Sequence, residues 1–341
     1  MIRWTLAWPL LIVGACSNFE NLEDACKDDV PGARDAPAGA VAVFQRLTCY
    51  RRYAGLSEAR LSPAISEAVV NHVNYLQLNI SAEELFTKPI DLQFEERSRP
   101  GYTGPYPLER FDLAGFDTET SSVQTWSVFA GMAEDAPPAQ FVDREIHDPL
   151  FRDPMLAPGW RAGSFARGEL DSEVEGAAGY PFGYLEAALF LPSGQNAFQP
   201  VVWPVDGEVD VPTSWFNRWP AKQASPQPFD ELARVVGYPV SFTFGSDETS
   251  FNFASNPLDV QMRSSRFTGP DGDVLHVALF PGSYFGGVNT STLALIPVEP
   301  LQPGTTYEVE VDVSWVSRDR LTMTTSFTTA GEPTTAGSEF F

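Results

Sequence analysis

The clearest pattern in the chain is an alternation near its end. From Tyr307 to Trp315 every odd position is apolar and every even one is polar. That is the period of a strand with one face in a core and the other in water. Leu321, Met323, Thr325 and Phe327 repeat the period and predict a partner strand, and Pro303-Gly304 supplies a turn ahead of the pair. Val240 to Phe244 alternates too, and Val274 to Leu279 reads as a strand with His276 on its solvated face. Short strands separated by turn signals predict an all-β sandwich over 237–330.

The first half of the chain carries a different period. Val41 to Tyr53 is helical in pattern. Ser62-Pro63 reads as an N-cap followed by proline at the first helical position. Ile65, Ala68, Val69, His72 and Leu76 then fall on one face of a helix ending near Asn79. A shorter helix is predicted from Pro138 to His147, with Phe141, Val142 and Ile146 as its buried side. Leu92 to Trp126 is rich in glycine, proline and aromatics, which predicts mostly ordered loop. Leu185 to Leu191 and Val201 to Pro204 read as strands. These elements make an α+β body over 40–214. Proline, tryptophan and glutamine then crowd together without periodicity, predicting a linker over 215–236, and 331–341 reads as a disordered tail.

The amino terminus pairs Arg3 with an apolar run from Trp4 to Val13, closed by Gly14-Ala15-Cys16. A positive start, a short apolar core and small residues before the cleavage point make a secretory signal over 1–15. The core is shorter than the roughly 20 apolar residues that a spanning helix needs. With cysteine directly after Gly-Ala, the run resembles the bacterial lipoprotein signal. That resemblance implies cleavage before Cys16 and a diacylglycerol on its thiol. Acyl chains contribute roughly 0.8 kcal/mol per buried methylene, enough for stable anchoring. Ser17-Asn18, in place of an aspartate, implies the outer membrane. Residues 16–39 then form a polar tether. With Cys16 acylated, Cys26 and Cys49 are left as a pair in an oxidising compartment, where a disulfide would tie the tether to the first helix.

Charge narrows the partners. The chain has 45 acidic against 22 basic residues, a net charge of -23. Such a surface repels phosphate backbones and shows no basic stripe, which excludes nucleic acid. Anionic headgroups are repelled as well, so membrane attachment rests on the acyl chains.

Candidate chemistry is sparse. His72, His147 and His276 are the three histidines, and none lies within a turn of another. No Gly-x-Ser-x-Gly elbow or phosphate-cradling glycine loop is present. His72, on an apolar stripe, reads as a satisfied core residue. His147 closes the second helix, where a cation would suit the dipole.

Tyr53-Ala54-Gly55-Leu56, the Asn71-His72-Val73-Asn74-Tyr75 helix, Arg99-Pro100-Gly101-Tyr102-Thr103-Gly104, Arg110, Gly115-Phe116 and Ile146-His147-Asp148 follow one another along the chain. Their order resembles bacterial CAP (SCP-like, cysteine-rich secretory) domains. Tyr238-Pro239 and the stretch from Pro300 to Thr329 resemble the Ig-like domain often appended to them. The resemblance implies a CAP-type α-β-α sandwich followed by an all-β Ig-like sandwich. It also implies a cleft gathering two histidines and two acids, sometimes around a divalent metal. His147 takes the second histidine position, while Gln93 or Phe94 stands at the first. Glu95 or Glu96 supplies one acid, and Gln124, with Glu119 as a loose substitute, stands where the other is expected. His72 lies on the neighbouring helix. So depleted a cleft implies no cofactor beyond a weakly held metal, since neutral glutamine is a poor ligand.

The expectation is therefore a lipid-anchored envelope protein acting as a binding module toward a protein, cell-wall or glycan partner. One alternative is a metal-dependent hydrolase with His147 as base and Glu95 or Glu96 beside it. Another is a carbohydrate-binding adhesin using Trp126, Trp160, Trp203, Trp215 and Trp219.

Overall fold

The computed structural model describes residues 19–88, 90–118, 123–174, 178–190, 200–217, 232–244, 260–279, 292–315 and 318–337. The expected signal and Cys16 fall outside them. The chain divides into two compact units, one from Asn18 to Val201 and one built mainly of Val202–Phe242 and Asn252–Thr335.

The first unit is α+β. Its helices are α1 (Ala38–Tyr53), α2 (Pro63–Asn79), α3 (Ala82–Thr87), α4 (Pro107–Leu113), α5 (Gln140–Glu145) and α6 (Pro149–Met155). Its strands β1 (Val123–Gly131), β2 (Trp160–Leu170) and β3 (Tyr180–Phe190) form an antiparallel sheet in the order β1-β3-β2. Helix α2 starts as its sequence demands: Pro63 opens it and the Ser62 hydroxyl accepts the Ile65 amide at 3.4 Å.

Every residue of β3 from Phe182 to Leu189 is buried, because helices cover both faces of the sheet. On one face Phe182, Tyr184 and Ala188 join a core with Ile65, Val69 and Leu76 of α2 and Phe111 of α4. On the other, a Cβ at Gly183 would stand 2.6 Å from Phe141 of α5 and 2.8 Å from Phe165, and Gly163 lies under Phe44 of α1 and Trp160.

The stretch from Leu92 to Trp126 is mostly loop, as expected, and also contains α4, begun by Pro107, and the start of β1. A seven-residue helix is too short to show a clear 3.6-residue period. The helix expected at 138–147 is α5, with Phe141, Val142 and Ile146 buried as expected, while α6, which follows it, was not expected.

Nor are residues 19–35 a free spacer. A 3-10 turn at Glu23–Ala25 buries Ala25, and Cys26 is disulfide-bonded to Cys49 of α1. Arg46 pairs with Glu23 at 2.8 Å, and the Arg52 guanidinium sits 4.8 Å from the Phe19 ring centroid. The polar composition suggested solvation, yet Arg46 of α1 meets Glu23 and Arg52 of α1 covers the Phe19 ring.

The second unit is all β. Its strands are β4 (Val201–Trp203), β5 (Glu208–Val211), β6 (Ser214–Phe216), β7 (Val235–Gly237), β8 (Val240–Thr243), β9 (Val260–Gly269), β10 (Gly272–Asp273), β11 (His276–Leu279), β12 (Thr292–Pro297), β13 (Thr306–Trp315), β14 (Arg318–Thr329) and β15 (Thr335–Ala336). They form sheets in the orders β10-β9-β13-β14-β5, β11-β12-β8-β4 and β15-β6-β7. The alternating strand pairs as its pattern requires, with Tyr307 opposite Phe327, Val309 opposite Thr325 and Val311 opposite Met323.

The boundaries shift. Trp215 and Phe216 lie in β6, Val235 and Val236 in β7, and Trp215 is fully buried, so the ends of the expected linker belong to a sheet. Thr334 and β15 likewise bring part of the expected tail into register with Thr213 and β6. Three-residue strands are too short to display a period. His276 is half-buried rather than solvated. Its Nδ1 lies 2.9 Å from the Val274 carbonyl and its Nε2 2.9 Å from the Ser265 hydroxyl of β9, with Phe267 beside it. A strand of the other sheet covers the face that alternation assigned to water.

Candidate functional site

Helix α2 points His72 inward because that position shares a face with Ala68, Val69 and Leu76. Its ring is fully buried, 5.0 Å from Tyr184. The Nδ1 lies 2.8 Å from Glu95 Oε1 and the Nε2 2.9 Å from the Leu92 carbonyl oxygen. Both nitrogens are therefore engaged, and neither directs a lone pair at a ligand.

Glu95 is the centre of the arrangement, and the Pro100-Gly101-Tyr102-Thr103-Gly104 stretch is its cradle. The amides of Thr103 and Gly104 donate to Oε2 at 2.5 and 3.3 Å, and the Thr103 hydroxyl adds a contact at 3.1 Å to Oε1. The glycines make the wrap feasible. Gly101 has a φ of 77° and packs against Tyr75 and Leu78, where a Cβ would come within 3.2 Å of Leu78. Gly104, with a φ of 156°, lies so close to Arg110 that a Cβ would meet its backbone nitrogen at 3.1 Å. Burial works to raise the Glu95 pKa. The hydrogen bonds from His72 and the Thr103 amide, with the Arg110 charge, outweigh it and hold the group below the usual carboxylate range.

Arg110 of α4 links this cradle to the sheet. Its Nη1 donates to the Gln93 carbonyl at 2.8 Å and its Nη2 to Glu186 Oε1 at 2.6 Å, while its Nε stands 3.7 Å from Glu95. Glu186 of β3 also accepts from the Tyr184 hydroxyl at 2.9 Å. Burial, then the Glu186 charge, pushes the Tyr184 phenol well above its ordinary value, so it stays a donor. His72, Glu95, Arg110 and Glu186 are all buried to within 1% of full enclosure. Four such groups are tolerated in a core only when each has an opposite charge or hydrogen-bond partner.

The structure thus brings together only part of the expected cleft. His72 and Glu95 meet. Glu96 is exposed and pairs with Arg99 at 3.0 Å, although it adjoins Glu95 in sequence. Gln93 is exposed and contributes its carbonyl. Gln124 lies on β1 opposite Leu189, its side chain outside the described residues, as is Glu119. Glu186 and Thr103 were not expected at all. A lone glutamate within the apolar run Leu185 to Leu191 was the available signal, since a charge on a buried strand requires a cation beside it.

His147 plays another part. It sits in the turn between α5 and α6, where Asp148 caps α6 and the His147 carbonyl accepts from Arg152 at 3.1 Å. Burial, with the charges of Arg152 and Arg46, pushes its pKa down to about 3. The ring is therefore neutral at ordinary pH. A depressed histidine pKa stabilises the fold above about pH 6.5. That contribution is lost as pH falls from there toward 3. Urea melts of His147→Gln are expected to show a flatter acid limb than the parent across this window, and an unchanged limb would argue against the assignment.

The described residues of this centre do not offer a free ligand set for a metal. Among the described residues no three histidine, cysteine, aspartate or glutamate side chains come together as a ligand set. His72 and Glu95, which do meet, already direct their atoms at protein partners. The four described tryptophans among the expected platform residues do not offer open ring faces either. Trp126, Trp160, Trp203 and Trp215 are between 0% and 8% exposed, Trp219 lies outside the described residues, and a sugar needs an open ring face.

No family model matches the chain, and no curated protein matches it in sequence. Among solved structures it is similar to CopC from Methylosinus trichosporium OB3b, at 14% identity over 40% of this chain and 94% of that one, with a TM-score of 0.24. It is also similar to PcoC, a methionine-rich copper resistance protein from Escherichia coli, at 17% identity over 39% and 99%, with a TM-score of 0.22. Likenesses this slight transfer neither fold nor function. No helix among the described residues is long and apolar enough to cross a membrane.

Proposed function

We propose that this chain is an exported, lipid-anchored envelope protein whose first unit is a CAP-like module acting by binding rather than catalysis. The observation that carries the binding reading is the complete engagement of His72 and Glu95 by protein partners. The polar centre of the unit holds a loop in place, and its surface is left to meet a protein, cell-wall or glycan partner. Helices on both faces of a three-stranded sheet support the CAP-like reading, and the all-β second unit supports the Ig-like one.

Export is supported by the Cys26–Cys49 disulfide, which belongs in an oxidising compartment. That bond accounts for two of the three cysteines and leaves Cys16, behind Gly14-Ala15, for acylation. Labelled palmitate is expected to enter the full-length protein and to be lost in Cys16→Ser. Label that survives the substitution would reject lipidation at that residue. For the binding reading, zinc is expected to leave the melting temperature of the soluble mature chain unchanged. A saturable rise abolished by His72→Gln would favour the hydrolase alternative instead.

A further inference from the structure

The stitching of residues 19–31 to α1 and to Leu61 limits how far the first unit can stand from an anchor at Cys16. Beyond the disulfide, the Arg46–Glu23 pair and the Arg52–Phe19 contact, the Asp28 carbonyl accepts from Gln45 at 2.6 Å and the Pro31 carbonyl from the Leu61 amide at 2.9 Å. Ala25 and Val30 are buried within this seam. The chain is fixed from Phe19 onward, only three residues after Cys16. An extended chain spans at most about 3.6 Å per residue, so the reach from Cys16 to Phe19 is about 11 Å. A free tether running to residue 39 would reach several times farther.

We propose that the first unit lies directly on a bilayer of zwitterionic lipid, within about 11 Å of the acylated residue, with Glu20, Glu23, Asp24, Asp28 and Asp29 as its headgroup-facing collar. This rests on the lipidation of Cys16 proposed above. The collar is acidic and exposed; Glu23 pairs with Arg46, and Lys27, beside it in sequence, pairs with Glu58 instead. Its carboxylates come within about one Debye length of the surface, roughly 8–10 Å, where anionic headgroups would repel them. Zwitterionic headgroups carry no such penalty. The partner surface of the protein is then the part turned away from this collar.

Neutron reflectometry of the acylated full-length protein on a supported phosphatidylcholine bilayer tests this. The expected water gap between headgroups and protein is about 10 Å or less. An insert of about 20 Gly/Ser residues between Ser17 and Asn18, with a mean span of roughly 25 Å, is expected to widen the gap by a comparable distance. The insert precedes the stitched region and leaves the fold intact. Adding phosphatidylglycerol at low salt is expected to widen the native gap, and raising the salt to close it. A native gap already as wide as the insert's would overturn the placement in a protein that takes palmitate. A gap indifferent to phosphatidylglycerol would overturn the headgroup preference, and a protein that takes no palmitate would overturn the anchor and this placement together.

Discussion

Replacing Glu95 with alanine is expected to destabilise the first unit by about 3–5 kcal/mol, the usual loss when one partner of a buried ion pair is removed. For a unit of this size that is a fall of roughly 10 °C in melting temperature. The reason lies in what remains. Arg110 and His72 would stay enclosed without their shared carboxylate, and the amides of Thr103 and Gly104 would lose their acceptor. Glu95→Gln should fall between parent and alanine variant, because the amide nitrogen cannot accept from the donors around it. The adjacent substitution Glu96→Ala is the control. Its partner Arg99 is exposed, and such pairs contribute at most about 1 kcal/mol. Thermal melts of the three variants decide the matter: equal losses at 95 and 96 would mean that Glu95 is not enclosed as described.

The contrast between these neighbours shows what the sequence could and could not tell. Both were candidates for the same acid, because a Glu-Glu pair in a loop has no period to say which side faces in. The turn chemistry decides it: Glu95 bonds through its backbone to Pro105, and its side chain lies where Thr103 and Gly104 point their amides. Where a period was long enough, the reading survived contact with the structure. The Ser62-Pro63 start of α2, its buried stripe through His72 and the pairing of β13 with β14 all follow from spacing alone. Where elements are short, at α4, β6 and β7, composition was misleading. The partnership of Glu186 with Arg110 joins positions 76 apart and is legible only once the fold brings α4 onto β3.

Loss of the disulfide is the second large effect. Cys26 and Cys49 are 23 residues apart, and closing a loop of that size restricts the unfolded chain by about 3 kcal/mol. The paired variant Cys26→Ser/Cys49→Ser is expected to unfold at a lower urea concentration than the parent, with a somewhat steeper slope because its unfolded chain is no longer cross-linked. Reducing agent should produce the same displacement in the parent and none in the variant. Seam contacts such as Arg46–Glu23 and Leu61 to Pro31 persist in the folded variant, so the expected change is in stability rather than in fold. A parent melt insensitive to reductant would mean that the two sulfurs are not joined in the folded protein.

Amide hydrogen exchange at Thr103 and Gly104 tests most directly whether the His72–Glu95 centre is a closed lock or an open cleft. These amides belong to a connecting segment between α3 and α4, where exchange is ordinarily fast. Held by an enclosed carboxylate, they are expected to exchange only with global unfolding of the unit, at rates matching the core amides of β3. Rapid exchange at both positions while β3 stays protected would show that the cradle opens on its own, and the lock would be contradicted.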